Sequence, residues 1–348
     1  MKEQSTGKER IVRIDTMIGL TMLLVVVGHL SVGFETDWYR HGLHQWIYTF
    51  HMAVFVFLSS FLIRYSYRGV NSVKKYAEYV GKRLLKFGIP FVLVGFATAV
   101  MACLHKGYAF NGEYLLRCVK VLFVYPRHSE ASFLWYIYIL MGYYFVSPIY
   151  FRLPQWMKTL CCIAALLLAM TNAGPMFCAH DFCQYTFFYT LGVLCAEWID
   201  EIRGMKKWVW AVAAIPFAVY TTWFFAYGYG EGADLGQLGW WTTVTGVAAI
   251  PMFYLTAILT QRAKWFTKSM FQISRNCFAI YLTQMFVIWG AVWLFGSLGL
   301  NKTDYFALFA IVASLLALVL PAAGMNLLRR TKKSGTPFKH PAKNTSLK

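Results

Sequence analysis

The sequence predicts an all-α, polytopic integral membrane protein with about ten transmembrane helices. Of 348 residues, 58% are apolar and only 14% are charged, and apolar runs of nearly twenty residues recur between short polar connections. Such a chain is too apolar for a disordered protein or an ordinary soluble enzyme. We find no soluble domain and no fixed repeat, so we expect a single transmembrane domain over residues 1–330. A basic tail, residues 331–348, should lie disordered on the cytoplasmic surface.

Ten apolar segments account for the domain, each close to the length that crosses about 30 Å of hydrocarbon. The first follows a charged stretch and lacks a small-residue cleavage site, which favours a retained helix over a removed signal peptide. The fifth is short and ends before Pro175, which leaves nine or eleven spans as alternatives. The segments are 16–33, 45–63, 88–104, 132–151, 159–173, 182–199, 208–226, 238–260, 269–293 and 305–328.

The positively charged residues of the chain lie mainly in the connections between the apolar segments. Lys and Arg number 33 against 15 Asp and Glu, a balance that would suggest nucleic acid if the basic residues formed one surface. They fall instead in short clusters between apolar segments, which excludes nucleic-acid binding and favours contact with anionic membrane lipids. With the N-terminus inside, 26 of the 33 lie on inner connections, so the distribution predicts an N-in, C-in topology.

The cysteines leave two interpretations open. Cys178 and Cys183 flank a short stretch near the outer side and could form a small disulfide in an oxidising compartment. Two unpaired thiols in a loop at the membrane edge explain the same spacing equally well. No His or Cys cluster has the spacing of a zinc site, so we expect no metal.

Three polar side chains lie inside apolar segments, where each costs at least about 2.5 kcal/mol near the bilayer centre. His29, His51 and Gln284 belong to the first, second and ninth segments, each in the outer half. At 1.5 Å per residue, each is roughly 5–10 Å from the outer end of its helix. We expect them to form one polar site. The alternative is a separate structural hydrogen bond for each side chain.

Histidine is suited to proton transfer near neutral pH. In a dry site, a neutral imidazole could take the proton from a sugar hydroxyl that attacks an acyl carbonyl. A carboxylate often orients such a ring, but Asp15 precedes His29 by about 21 Å along an ideal helix. We therefore favour helix capping or ion pairing with a basic loop for Asp15 over direct chemistry.

The connection between the second and third segments is strongly basic. Lys82 and Lys86 share one helical face beside Arg83. A cationic inner mouth would suit the phosphates of an acyl-coenzyme A, and anchoring to lipid headgroups explains the same charges equally well. The basic residues of this stretch are Arg64, Arg68, Lys74, Lys75, Lys82, Arg83 and Lys86.

Several of these stretches resemble one family. The run from Arg13 through Asp15 to Gly28-His29 resembles the opening helix of the membrane-bound acyltransferase 3 family, in which an aspartate precedes an apolar stretch ending in Gly-His. The run Phe50-His51-Met-Ala-Val-Phe55-Val-Phe57-Leu-Ser59-Ser60-Phe61 looks like its Phe-His-Met-Pro-x-Phe-x-x-x-Ser-Gly-Phe signature. Order and spacing match across most of the chain.

Two later stretches extend the resemblance. Lys82-Arg83-Leu-Leu-Lys86-Phe-Gly-Ile-Pro90 is similar to the basic start of the family's third helix. Leu134-Trp135-Tyr136 and the run Ser274 to Gln284, with Ile280-Tyr281-Leu282, resemble its Leu-Trp-Phe and Ser-x-x-Ile-Tyr-Leu-x-His segments.

The resemblance implies about ten helices and transfer of an acyl group, usually acetyl from cytosolic acetyl-CoA, to a hydroxyl of an extracytoplasmic glycan or lipid-linked sugar. It also implies that His29 is the general base. We expect His51 to orient the acceptor or stabilise the oxyanion. For the remaining site residues we expect donor binding by Lys82, Arg83 and Lys86, and acceptor or supporting contacts by Asp15, Tyr136, Tyr281 and Gln284.

Four positions depart from the family pattern. Ile18 stands where the family commonly has Arg or Lys, and Gln284 replaces the late histidine. If the missing cation holds the donor, Arg13, Arg64 or Arg83 would have to substitute for it. Ala53 and Ser60 replace a proline and a glycine, which we interpret as packing changes.

These observations predict an O-acetyltransferase of the inner (plasma) membrane that modifies a surface polysaccharide or its lipid-linked precursor. Acetyl-CoA would be its co-substrate, with no bound cofactor. The alternative is a polysaccharide or small-solute transporter on the same fold, in which the polar groups line a permeation path.

Overall fold

The computed structural model describes residues 11–31, 36, 38–171, 173–228, 239–300 and 304–334, and this part of the chain is all-helical, without strands. Short π-helical and 3₁₀ turns join some of the helices. The helices are α1 (Val12–Gly28), α2 (Gln45–Tyr48), α3 (His51–Tyr65), α4 (Val73–Lys106), α5 (Gly112–Val124), α6 (Trp135–Tyr150), α7 (Gln155–Leu168), α8 (Ala179–Glu197), α9 (Ile199–Gly204), α10 (Lys207–Trp223), α11 (Gly239–Thr260), α12 (Lys264–Ser297) and α13 (Phe306–Ser334).

The all-α class is confirmed, and each of the ten predicted segments overlaps at least one helix. Seven helical stretches are long and apolar enough to cross a membrane, and they contain α3, α4, α6, α10, α11, α12 and α13. The other three segments correspond to α1, with 17 residues, α7, with 14 residues, and α8, which has Asp181 in its first turn. The protein is therefore a multi-pass membrane protein, while ten spans and the N-in, C-in orientation stay predictions.

Two helices are longer than the predicted segments. α4 and α12 each contain 34 residues, about 51 Å at 1.5 Å per residue, well beyond the hydrocarbon thickness. α4 begins at Val73 because the Ser72 side chain accepts a hydrogen bond from the Lys75 backbone N–H at 3.3 Å. The basic stretch around Lys82 is therefore helical and continuous with the third span.

The sequence analysis missed α5, which lies in the predicted connection 105–131. Asn111 caps it by accepting a hydrogen bond from the Tyr114 backbone N–H at 2.8 Å. Its 13 residues are too few to cross a bilayer. Gly95 of α4 lets it approach closely, because a Cβ there would lie 2.6 Å from Leu122.

α3 lies in the core between α1, α8 and α11. A Cβ at Gly192 of α8 would meet the Ser60 Oγ at 2.0 Å, and one at Gly246 of α11 would meet the Ala53 Cβ at 2.6 Å. Ser60 donates a hydrogen bond to the Phe57 carbonyl at 2.8 Å. Ala53 and Ser60 are thus small side chains at close helix crossings, as the packing interpretation requires.

The last helix continues further than the predicted domain boundary at residue 330. α13 extends to Ser334, so the first four residues of the predicted tail belong to it. The rest of the tail, 335–348, lies outside the described residues.

Candidate active site

A cavity of about 1330 Å³ lies beside the end of α1 and the start of α3. Both His29 and His51 line it, so the structure brings together the two histidines that the sequence analysis selected. His29 directly follows α1 and is partly exposed, whereas His51 is the first residue of α3 and is 2% exposed. We call this space the histidine cavity.

The two imidazoles are held in the same way. The His29 Nδ1 lies 2.6 Å from the Val25 carbonyl oxygen, and the His51 Nδ1 lies 2.8 Å from the Ile47 carbonyl oxygen. Because a carbonyl can only accept, Nδ1 must carry the proton in each ring, and Nε2 of the neutral ring keeps its lone pair. The backbone therefore fixes the tautomer that a general base needs, without a carboxylate.

The Tyr48 ring packs beside His51 and against the end of α1 that precedes His29. The Tyr48 ring stacks on His44 at 4.1 Å and lies 4.8 Å from His51, measured between ring centroids. A Cβ at Gly28 would lie 3.1 Å from the Tyr48 ring. The glycine before His29 thus lets Tyr48 pack against the end of α1, which accounts for the Gly-His pair in physical terms.

An ion pair that the sequence analysis missed lies in the same wall. Arg127 Nε donates to both carboxylate oxygens of Asp181 at 3.1 Å, and Nη2 also donates to Asp181. The guanidinium carbon lies 3.9 Å from the Trp135 ring centroid. Asp181 is 2% exposed. The available signal was a carboxylate at the end of an apolar segment, in a stretch that we considered only for its cysteines.

Asp181 keeps Arg127 charged. Burial alone would lower the pKa of Arg127, but the hydrogen bonds and charge of Asp181 outweigh that effect and raise the pKa above its ordinary value. A permanent cation, held in a fixed orientation by its carboxylate and by Trp135, therefore faces the histidine cavity.

A second cavity, of about 570 Å³, lies towards the opposite end of α1 and contains Asp15 in its wall. Asp15 is 7% exposed and accepts a hydrogen bond from the Ser274 hydroxyl of α12 at 2.8 Å. It does not cap α1, because Ile11 is the N-cap residue. The capping interpretation is therefore wrong: Asp15 joins two helices. We call this space the Asp15 cavity.

The structure separates the three cations predicted to bind the donor. Lys86 lines the Asp15 cavity. Lys82 is exposed and lies 3.7 Å from Glu78, and the Arg83 guanidinium packs over the Tyr79 and Tyr144 rings. The cation that joins Lys86 in this wall is Arg275, which the sequence analysis did not select for the site.

Ile18 also lines the Asp15 cavity, so a cation at this position would have faced the same space. The other suggested substitutes are engaged elsewhere. Arg13 donates to the Tyr254 hydroxyl at 3.0 Å, and Arg64 pairs with Glu197 at 2.6 Å. Lys86 and Arg275 are thus the cations that could replace the missing one.

Tyr281 lines both cavities and forms part of the wall between them. Its hydroxyl donates to the Phe133 carbonyl, and its ring centroid lies 5.4 Å from that of Tyr136. The Tyr136 hydroxyl bonds to Ser59, which itself donates to the Phe55 carbonyl, so Tyr136 must be the donor. Both tyrosine protons are therefore engaged within the protein.

Gln284 behaves differently from the histidines. It is fully buried on α12 between Tyr281 and Met285, which line the histidine cavity, but it does not line the cavity itself. Neither of its amide atoms has a hydrogen-bond partner within the part of the chain that the structure describes. The histidines thus meet as predicted, while Gln284 remains behind the cavity wall.

Cys178 and Cys183 are both free thiols, and burial raises the pKa of Cys178 to about 12. Among the described residues, no group of three His, Cys, Asp or Glu side chains could hold a metal ion.

Comparison with known proteins gives a match over most of the chain. A family model described as an acyltransferase domain matches residues 11–324, which include both cavities. No curated protein and no solved structure was found to match the chain.

Proposed function

The chain belongs to the acyltransferase 3 family, and from this premise we propose that it transfers an acetyl group from acetyl-CoA to a hydroxyl of an extracytoplasmic polysaccharide or lipid-linked sugar. The observation that carries the proposal is the pair of histidines in one cavity, each with Nδ1 held by a backbone carbonyl. Two bases of the same tautomer in one partly closed space suit proton removal from a hydroxyl.

His29 is the general base in this proposal. Its Nε2 takes the proton as the acceptor oxygen attacks the thioester carbonyl. The ester bond forms, the bond to sulfur breaks, and the proton passes to the departing coenzyme A thiolate. His29 is more exposed to the cavity than His51, which favours it for this role.

His51 orients the acceptor. With Nδ1 protonated, its neutral Nε2 accepts a hydrogen bond and cannot donate one. Of the two roles expected for His51, holding the acceptor hydroxyl therefore fits better than stabilising the oxyanion. The Arg127 guanidinium, fixed by Asp181, is the better source of positive potential for the oxyanion.

The donor approaches through the Asp15 cavity. Lys86 and Arg275 offer cations to the phosphates of coenzyme A, and the thioester passes the wall at Tyr281 to reach His29. In the N-in, C-in orientation favoured by the Lys and Arg distribution, this cavity faces the cytoplasm and the histidine cavity faces outwards. The inner (plasma) membrane is then the location at which acetyl-CoA and an external glycan are both in reach.

The test uses purified protein in lipid nanodiscs with radiolabelled acetyl-CoA and a cell-envelope glycan extract. Coenzyme A release and label transfer are measured for wild type, His29→Ala and the control His105→Ala, which changes an exposed histidine in the last turn of α4. We expect transfer by wild type and the control, and a rate lower by a factor on the order of 10²–10⁴ for His29→Ala. Full turnover by His29→Ala would contradict the general-base role.

The same protein in sealed vesicles separates the transporter alternative. A transporter moves labelled glycan across the membrane without consuming acetyl-CoA. Glycan movement together with absent coenzyme A release, in protein of normal helical content, would overturn the acyltransferase proposal.

A further inference from the structure

Gln184 is a polar side chain of the histidine cavity to which the proposed mechanism gives no role. It lies on α8, three residues after Asp181, and lines the cavity although it is only 5% exposed. Its amide has no hydrogen-bond partner within the described part of the chain. Unlike the amide of Gln284, which is fully enclosed, that of Gln184 keeps accessible surface, so it faces the space that it lines. A nearly buried amide without a partner is costly, which suits a group that a ligand completes.

The packing of α8 against α3 brings Gln184 level with His51. Both helices begin at the histidine cavity and run in the same direction away from it. Further along, Gly192 of α8 packs closely on the Phe57 carbonyl and the Ser60 side chain of α3. Gln184 is eight residues before this contact on α8, and His51 is between six and nine residues before it on α3. At 1.5 Å per residue, the two residues therefore lie within about 3 Å of the same level.

The hydrogen-bonding capacity of the two histidines calls for a second donor group on the acceptor. In the proposed mechanism, His29 removes the single proton of the reacting hydroxyl. The Nε2 of His51 can only accept, because the proton of that ring is on Nδ1 and bonds to the Ile47 carbonyl. His51 therefore needs a proton from another group of the acceptor. A neighbouring hydroxyl supplies that proton, and its oxygen can in turn accept a hydrogen bond from the Gln184 Nε2.

We propose that Gln184 and His51 together hold a second hydroxyl of the acceptor, on the carbon next to the one that is acylated. The substrate class is then a vicinal diol. One hydroxyl lies at His29 and reacts, while its neighbour donates to His51 and accepts from Gln184. The inference rests on the proposed function and narrows its acceptor, since any sugar hydroxyl would satisfy His29 alone.

A hydroxyl fits this position better than an acetamido group. The acetamido N–H could donate to His51, but an amide nitrogen cannot accept a hydrogen bond. The carbonyl of a trans amide points away from its N–H, so the Gln184 Nε2 would stay without a partner. Only a group that donates and accepts at the same atom completes both side chains.

Two isomeric diols test the preference by competition. The assay measures label transfer from acetyl-CoA to the cell-envelope glycan extract by protein in lipid nanodiscs, with trans-cyclohexane-1,2-diol or trans-cyclohexane-1,4-diol added. The isomers have the same composition, and only the first has adjacent hydroxyls. We expect the 1,2 isomer to inhibit wild type at a concentration about tenfold lower, which is the order of effect of one hydrogen bond. Equal inhibition by the two isomers, or none by either, would overturn the proposal.

Gln184→Met tests whether this residue causes the preference. Methionine is close to glutamine in length, but its side chain cannot donate a hydrogen bond. We expect both isomers to inhibit the variant equally, and the KM for acetyl-CoA to stay within about twofold. The control Gln155→Met changes an exposed glutamine at the start of α7, outside both cavities, and should keep the wild-type preference. Lower rates with an unchanged preference in Gln184→Met would mean a merely structural role and contradict the assignment.

Product mapping and binding separate the diol site from the proposed function. NMR of the labelled glycan should place each new ester on a carbon next to one with a free hydroxyl. An ester flanked only by acetamido, ether or unsubstituted carbons would overturn the proposal. Saturation-transfer NMR compares binding of the two cyclohexanediols without turnover. Preferential binding of the 1,2 isomer by wild-type protein that transfers no label would refute the proposed function and leave the diol site in place.

Discussion

The histidine cavity and the Asp15 cavity lie towards opposite ends of α1 and have walls of different chemistry. The first contains four histidines, His29 and His51 among them, together with the Arg127–Asp181 ion pair and the Trp135 ring. The second is largely aliphatic and aromatic, and its charged groups are Asp15, Lys86 and Arg275. In the proposed function, this difference separates two tasks: proton transfer and acceptor binding at one end, and recognition of an anionic donor at the other.

His29→Ala should produce the largest effect. We expect kcat to fall by a factor on the order of 10²–10⁴, the usual contribution of a general base, while KM for acetyl-CoA stays within about twofold. The reason is that the donor cations lie in the other cavity. Steady-state coenzyme A release measures both constants. A rise in the KM for acetyl-CoA as large as the fall in kcat would contradict the assignment of donor binding and proton transfer to different cavities.

Asp181→Asn should lower kcat by about tenfold and leave the KM for acetyl-CoA unchanged. The substitution removes the buried carboxylate charge that orients the Arg127 guanidinium, so the cation loses its fixed position beside the oxyanion. Asp200→Asn is the control, because Asp200 is 91% exposed and only 4.0 Å from its partner Arg203. A comparable rise in the KM for acetyl-CoA would mean that the ion pair serves the whole fold.

Lys86→Gln and Arg275→Gln should each raise the KM for acetyl-CoA by about threefold to tenfold, with kcat nearly constant. Each removes one charge-assisted contact to phosphate near solvent. Lys82→Gln is the control, since Lys82 is exposed and outside the Asp15 cavity. Should Lys82→Gln have the greater effect, the donor site would lie further along α4.

Salt should have the smallest effect. Raising ionic strength from about 0.1 M to 0.5 M shortens the screening length to a few ångströms, so the acetyl-CoA KM should increase about twofold. Lys86→Gln should weaken this dependence, and the acceptor KM should change less. Equal salt sensitivity of the two substrates would argue against a cationic site specific to the donor.

The sequence predicted the helical segments and the pair of histidines because both depend on local information. Apolar runs define spans, and matched depth on neighbouring antiparallel helices brings His29 and His51 to one level. The same depth argument included Gln284, which is at a similar level on α12 but outside the cavity lining. The depth of a residue does not specify which face of its helix lines a cavity. The rotation of α12 about its own axis therefore decides that Gln284 lies outside the lining.

The missed features depend on contacts between distant parts of the chain. Asp181 joins Arg127 across 54 positions, and Asp15 joins Ser274 across 259. The donor cations illustrate the same limit, since Lys82 and Lys86 share a helical face in projection, yet only Lys86 reaches the Asp15 cavity. α5 was missed because a 13-residue amphipathic helix gives no spanning signal.

The wall at Tyr281 has a consequence for the ion gradients that a cell keeps across its membrane. An enzyme whose two substrates arrive from opposite sides of a membrane has a cavity open to each side, and the two cavities together could form a leak through the bilayer. The Tyr281 hydroxyl is bonded to the Phe133 carbonyl and its ring packs near Tyr136, so these side chains stand between the two cavities. Such a wall lets an acyl group reach the far side while the membrane keeps its electrical potential and its proton gradient.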